Sequence, residues 1–329
     1  MKKLPVKGTL LFAVIIIFLL LPLYTWAQAL IPAAEKNILD TGNISAHLNA
    51  GMLNGTANEY VYIDDYTLSR LIWEIDNLYM AGGGFSLNKK GLISLHADLW
   101  LRVMDGSGGM DDYDWLVEDL PWTHWSHHPD TAVTKGTIFD LCLGIAPEIF
   151  KFEYLSFSGF AGYRFSDFKW ESRGGSYIYS SINEDDELTG FRDLSGDFED
   201  GEPAISYRQT YNLPYLGLGA EVSSGNFRLA AKVTGSLFVF GKAVDNHHMR
   251  DMVTYASFYR GQMFSSDLSA QYSITRHSAL KAAFSYSVYG KLRGDTEYHF
   301  ADGSVITYKN AEGADFKSVM FSLSYVHDF

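Results

Sequence analysis

Ile93-Ser94-Leu95-His96-Ala97-Asp98-Leu99-Trp100-Leu101-Arg102-Val103 is the stretch whose reading decides the fold. Every odd position is apolar, and the even positions are mostly polar. Successive side chains of an extended chain point to opposite faces, so this segment is a strand with one apolar and one polar face. The last segment repeats the device, with Val319, Phe321, Leu323, Tyr325, His327 and Phe329 on one face and Met320, Ser322, Ser324, Val326 and Asp328 on the other. Turn signals and alternation elsewhere predict about ten strands, near residues 43–63, 66–87, 91–105, 135–147, 151–171, 203–222, 226–243, 251–275, 279–300 and 305–329.

Abundant aromatics, plentiful Gly, scarce Pro and a mean hydropathy of -0.06 fit strands whose outward apolar residues are offset by polar interior ones. The expected fold is all-β, a ten-stranded antiparallel transmembrane β-barrel with extended extracellular loops. The N-terminus has the layout of a secretory signal: Lys2, Lys3 and Lys7, an apolar run over residues 10–23, then Thr25-Trp26-Ala27. Cleavage after Ala27 is expected, leaving residues 28–329 as one barrel domain. The apolar run is short for a spanning helix, and no second run follows. The lone Cys142 cannot form an internal disulfide and, within an alternating segment, reads as a buried thiol.

Removing the three leader lysines turns 26 basic against 39 acidic groups into 23 against 39, a net charge of −16. Such a surface argues against nucleic acid and for basic partners, although acidic loops that only keep the protein soluble give the same count.

Several predicted strands exceed the roughly 9–11 residues that cross a bilayer, so the barrel should carry its loops on a tall rim. The longest connections, residues 106–134 and 172–202, follow the third and fifth strands, which makes odd-numbered connections extracellular. Asp112-Tyr113-Asp114 falls in the loop after strand three and Asp245-Asn246-His247 in the loop after strand seven. Both lie on the same side, nearly opposite each other in a ring of ten. Residues two apart in extended chain project together, so each signature offers a coupled pair of ionisable groups. His247 can serve as a general base oriented by Asp245. Asp112 and Asp114 can hold the attacking water, and their proximity pushes one of them toward protonation. On residues alone, in a chain with 39 acidic groups, solvated loop carboxylates are the favoured explanation of these motifs.

The motifs and their surroundings resemble the omptins, outer-membrane proteases of Gram-negative bacteria, over essentially the whole mature chain. The resemblance rests on Asp112-Tyr113-Asp114-Trp115, His128-Pro129-Asp130-Thr131, Arg173-Gly174-Gly175-Ser176-Tyr177-Ile178-Tyr179-Ser180-Ser181, Gly190-Phe191-Arg192-Asp193 and Asp245-Asn246-His247-His248-Met249-Arg250-Asp251. It implies endopeptidase activity through a water activated between Asp112 and His247, with Asp114 and Asp245 completing the pairs. It also places Glu59 at the floor of the pocket for the residue preceding the cut. Two acidic groups of the family's cleft are replaced, one by Ala243 and one by His124, which implies a looser or shifted preference for Arg or Lys. A two-residue deletion would instead equate Asp245 with a pocket residue; the ungapped reading keeps Asp-x-His.

The resemblance further implies lipopolysaccharide as an activator, bound on the barrel's outside, with no metal or organic cofactor. Tyr163 matches a family contact, whereas Phe165, Asp167 and Thr210 replace usual ones. Either Arg164, Lys169 and Arg208 substitute by pointing outward, or the barrel depends less on the lipid. Four further readings compete. His124, His127, His128, His247 and His248 lack a compact metal motif. Ser126-His127 are adjacent and point oppositely, against a Ser-His hydrolase. A proteolytically idle barrel that binds surface macromolecules stays open, and a porin is disfavoured by bulky Trp100, Phe160 and Trp170 on the interior parity.

Overall fold

The computed structural model describes residues 42–89, 92–147, 150, 152–185 and 187–329, so the leader assigned to residues 1–27 lies outside the described residues. Thirteen strands form one antiparallel sheet: β1 (Gly42–Ile63), β2 (Tyr66–Lys89), β3 (Ile93–Arg102), β4 (Gly106–Asp114), β5 (His124–Ile145), β6 (Leu155–Arg173), β7 (Ser176–Tyr179), β8 (Leu194–Asp197), β9 (Pro203–Ser224), β10 (Phe227–His247), β11 (Met252–Ser273), β12 (Ser278–Phe300) and β13 (Val305–Asp328). β3 and β4 both pair with β2 and with β5, so together they act as one strand interrupted at residues 103–105. β7 and β8 form a small hairpin added to the upper end of β5. Ten strand positions remain, and β13 pairs with β1 from Ser45↔Asp328 to Val61↔Glu312, which closes the ring. Closure removes the free edges that an open sheet would expose.

Short turns such as residues 223–226 mark the lower end, and the longer connections mark the opposite rim. Alternation in the lower half is as the sequence predicts. Leu216, Leu218, Leu229, Leu268, Phe321 and Leu323 are exposed on the outside. His47, His96, Asp98, Asp140, Lys232 and Asp267 face inward around a cavity of about 490 Å³. Above it the barrel is plugged by aromatics. Trp73 stacks on Tyr207 at 5.4 Å, Phe168 lies 4.9 Å from Phe316, and Tyr211 stacks on Tyr289 at 4.6 Å. Trp170 belongs to this plug, while Trp100 and Phe160 line the cavity beneath it. Two buried polar groups of the plug are satisfied across the barrel: Gln209 Nε2 donates to the Asn58 carbonyl at 3.0 Å, and Trp170 Nε1 to the Glu74 carbonyl at 3.0 Å. The plug separates the lower lumen from the rim.

Three expectations need correcting. The supposed loop 106–134 is mostly strand, because β4 and the early start of β5 continue the ladder upward. The segment 172–202 likewise contains the β7–β8 hairpin. Asp245 and His247 end β10 instead of lying in a loop, still hydrogen-bonded in register between Tyr207 and Ile205 on one side and Thr254 and Met252 on the other. Polar and glycine-rich stretches hid these strands. In a tall rim the inward face is a polar cleft, so the apolar side of the alternation is lost there.

Candidate active site

Asp112 sits opposite Leu71 on β2 and Ser126 on β5, and Asp114 sits opposite Ser69 and His124. The two-sided ladder fixes their backbone, and the period of two turns both side chains inward. Asp111 points the other way and accepts hydrogen bonds from Trp125 Nε1 at 3.0 Å and His127 Nδ1 at 2.9 Å. Thr123 closes the connection above β4 by donating its backbone N–H to the Asp114 carbonyl at 2.7 Å. Ser69 donates to Asp112 Oδ1 at 3.1 Å. Burial and the adjacent Asp114 push the Asp112 carboxyl up to about 8, and burial raises Asp114 as well.

On the facing wall, His247 Nε2 lies 2.6 Å from Asp245 Oδ2, with Asp245 only 1% exposed. Burial opposes a charge on His247, but the Asp245 carboxylate outweighs it, and the imidazole is more basic than an ordinary histidine. In the neutral ring Nε2 carries the proton donated to Asp245, which leaves Nδ1 as the basic nitrogen. The two walls share one field: His247 lowers the pKa of Asp112, and Asp112 raises that of His247. A short 3-10 turn, His248–Arg250, follows β10 and is reversed by Asp251 at φ 47. It brings the Arg250 guanidinium close enough to steady both Asp112 and Asp114 as anions.

Glu59 on β1 faces the same interior, in register with Leu71 and Ala314, and is 2% exposed. Its carboxyl is raised well above the ordinary value by burial, then by Asp245 and Glu312. Ala243 lies two residues below Asp245 on the same face, buried. His124 is half-buried opposite Asp114, with its ring 4.8 Å from Tyr179.

The outer basic residues divide. Tyr163 is exposed and donates to Asn212 Oδ1 at 2.6 Å. Arg208 grips Asp167 with bonds of 2.8 and 2.7 Å, Lys135 adds a third contact at 2.6 Å, and Lys169 pairs with Glu171 at 2.6 Å. Arg164 does not belong to this face. It sits one residue out of phase with Tyr163, points into the lumen and donates to Asp140 at 2.8 Å, so it is corrected from an outer lipid contact to an interior ion pair.

Among the described residues no group of three His, Cys, Asp or Glu side chains converges as a metal site. Ser126 does meet a histidine, but it is His128, two positions on and on the same face, at 3.1 Å. His128 Nδ1 donates to the Gly174 carbonyl at 2.5 Å, so this pair fastens β5 to the chain beyond β6. Sequence reasoning missed Ser69, Arg250 and Glu312. Ser69 carries no local motif and Arg250 stood inside the quoted block without a role, but Glu312 has the inward parity of Met320 and was legible from it.

A profile of the Omptin family matches residues 40–329. The chain is 31% identical over 253 residues to the plasminogen activator of Yersinia pestis, covering 76% of this chain and 77% of that protein. It is 30% identical over 281 residues to protease 7 of Escherichia coli strain K12, covering 83% and 86%. In structure it is similar to the outer membrane protease OmpT of Escherichia coli, with a TM-score of 0.81 and 27% identity over 87% of this chain and 97% of that one.

Proposed function

Because the chain belongs to the Omptin family, we propose that it is an outer-membrane endopeptidase whose cleft opens to the extracellular side and cuts peptides or proteins beside Arg or Lys. The observation that carries this reading is an Asp-Asp pair and an Asp-His pair on facing walls, with His247 held at 2.6 Å by Asp245 and within the field of Asp112. The exposed apolar lower half supplies the surface that a bilayer would cover.

In this mechanism a water between Asp112 and His247 attacks the scissile carbonyl, and its proton passes to His247 Nδ1 as the new C–O bond forms. Asp245 holds the ring in the required tautomer and stabilises the imidazolium. The proton kept on the Asp112–Asp114 pair is donated to the developing oxyanion, which water in an open loop would stabilise less well. His247 then returns its proton to the leaving amine as the C–N bond breaks, and a hydroxyl proton of the collapsing gem-diol goes back to the Asp112–Asp114 pair, giving an amine and a carboxylic acid that ionises on release. Asp112, Asp114, Asp245 and His247 are the catalytic residues in this reading, and Glu59 receives the basic side chain.

The test is a mixed peptide library incubated with the refolded barrel and lipopolysaccharide, analysed by mass spectrometry beside Asp112→Ala and His247→Ala. Cleavage lost in both folded variants supports the protease. A folded wild-type barrel that cuts nothing, with or without lipid, returns the protein to a surface-binding role. Lipopolysaccharide is proposed to activate by binding the outer face formed by Tyr163, Lys169 and Arg208. Lys169→Ala with Arg208→Ala should blunt the activation, and unchanged activation would move the lipid elsewhere.

A further inference from the structure

We propose that Glu312 is the second acidic group of the substrate pocket, acting with Glu59 to receive one guanidinium or ammonium from the substrate. This deepens the protease reading and rests on it for the word substrate.

Glu59 and Glu312 stand on the adjacent strands β1 and β13. Glu59 is in register with Ala314, and Glu312 lies two residues further along the same inward face. Such diagonal neighbours have Cβ atoms roughly 7–8 Å apart, within reach of two glutamate side chains converging on one group. Glu312 is 1% exposed. In strict hydrogen-bond geometry neither of its carboxylate oxygens has a partner among the described residues, nor do Glu59 Oε2 and Asp245 Oδ1, although the Thr296 hydroxyl and the Glu59 carboxyl approach Glu312 closely enough to lower its pKa, and Glu312 in turn raises that of Glu59. Buried carboxylates are ordinarily paired with a cation or saturated with donors, because removing a charge from water without a partner is very costly. No lysine or arginine forms an ion pair with Glu59 or Glu312 among the described residues. The groups facing them are Asp245 and His247 on β10, Asp112 on β4, Tyr207 on β9 and Tyr298 on β12. Burial pushes the Glu312 carboxyl up to about 7, so an entering cation finds it close to ionising.

The location suits a side chain that enters from the rim. Tyr298, half-buried two residues rimward of Thr296, feels Glu312, Glu59 and Asp245 together, so a guest passes its ring to reach the acids. A planar guanidinium offers five donors and can bond both carboxylates at once, whereas an ammonium engages them as a point charge. The acid missing at Ala243 on β10 is thereby supplied from β13.

Two measurements decide this. The first is kcat/KM for a peptide pair differing only in Arg or citrulline before the cut, in wild type, Glu312→Gln and Glu312→Asp. Glu312→Gln should lower the Arg-to-citrulline ratio by about tenfold or more, the loss expected when one charged hydrogen-bond partner is neutralised, and Glu312→Asp should keep part of it. The second is binding of agmatine to the folded His247→Ala barrel, with and without Glu312→Gln, which needs no hydrolysis. The added change should raise Kd by about tenfold. An unchanged ratio, unchanged agmatine affinity or no agmatine binding overturns the assignment. If neither peptide is cut but agmatine binds through Glu312, the pocket stands and the protease reading falls.

Discussion

The β4 wall and the β10 wall of the cleft hold the same x-spaced motif in opposite electrostatic states. On β4 burial and the Asp114 charge outweigh the Ser69 hydroxyl and Arg250, which favour the anion, and Asp112 is driven up to about 8. On β10 a carboxylate and an imidazole neutralise each other at 2.6 Å, and the histidine becomes more basic. The difference teaches that one wall is built to keep a proton and the other to take one. Neither property follows from the motif, since both pairs are simply alternate residues of a strand. It follows from what the ring places beside them.

Removing either side of this contrast should have the largest effect. Asp112→Ala and His247→Ala are each expected to lower kcat by up to about 10⁴-fold, the upper range for a general acid or base, with the heat-modifiable barrel still folded. Loss of folding would recast the residue as structural. Asp245→Asn leaves the ring in place but removes the charge that fixes its tautomer. A loss of roughly 10²–10³-fold is expected, with the rising limb of the pH profile moved to lower pH. An unmoved limb would separate Asp245 from His247.

The pH profile of the wild type sharpens the comparison further. His247 acts as a base only when neutral, so turnover should rise as pH climbs through its pKa, which lies above 6.5. The β4 pair must keep its proton, so turnover should fall as pH passes about 8. The result is a narrow bell, with each limb approaching tenfold per pH unit at its foot. A flat profile across this window would remove both assignments. The smallest expected effect is that of Ser69→Ala. It deletes one hydrogen bond to Asp112 and should cost about tenfold or less in kcat, from about 1 kcal/mol for such a bond. Because that bond favours the ionised form, its loss should also move the falling limb upward; a downward move would mean that Ser69 supports the protonated acid.

The lower barrel was read from the chain almost residue by residue. Ile93 to Val103 and the last segment alternate because one face meets an apolar exterior and the other a polar lumen. The rim was read less well. β4, with Gly106, Gly108, Gly109, Asp111, Asp112 and Asp114, lacks an apolar face and passed for loop, although it is held by ladders on both sides. Arg164 was misplaced for a related reason: a cation beside Tyr163 looks like an outer contact unless the one-residue phase is followed, and the phase sends it to Asp140.

Asp112, Asp114, Asp245, His247 and Glu59 were named from the sequence because short motifs preserve the residue types that chemistry needs. The sequence by itself determined the ten-position ring and the facing of the lower barrel, since alternation is a local property of extended chain, and its motifs, with the family they resemble, supplied the candidate groups. Only the tertiary structure decided which way burial and neighbouring charges move Asp112 and His247, and that Glu312 lies beside Glu59. Those outcomes depend on burial and on charges delivered by strands far apart in sequence, which meet only once the ring has closed.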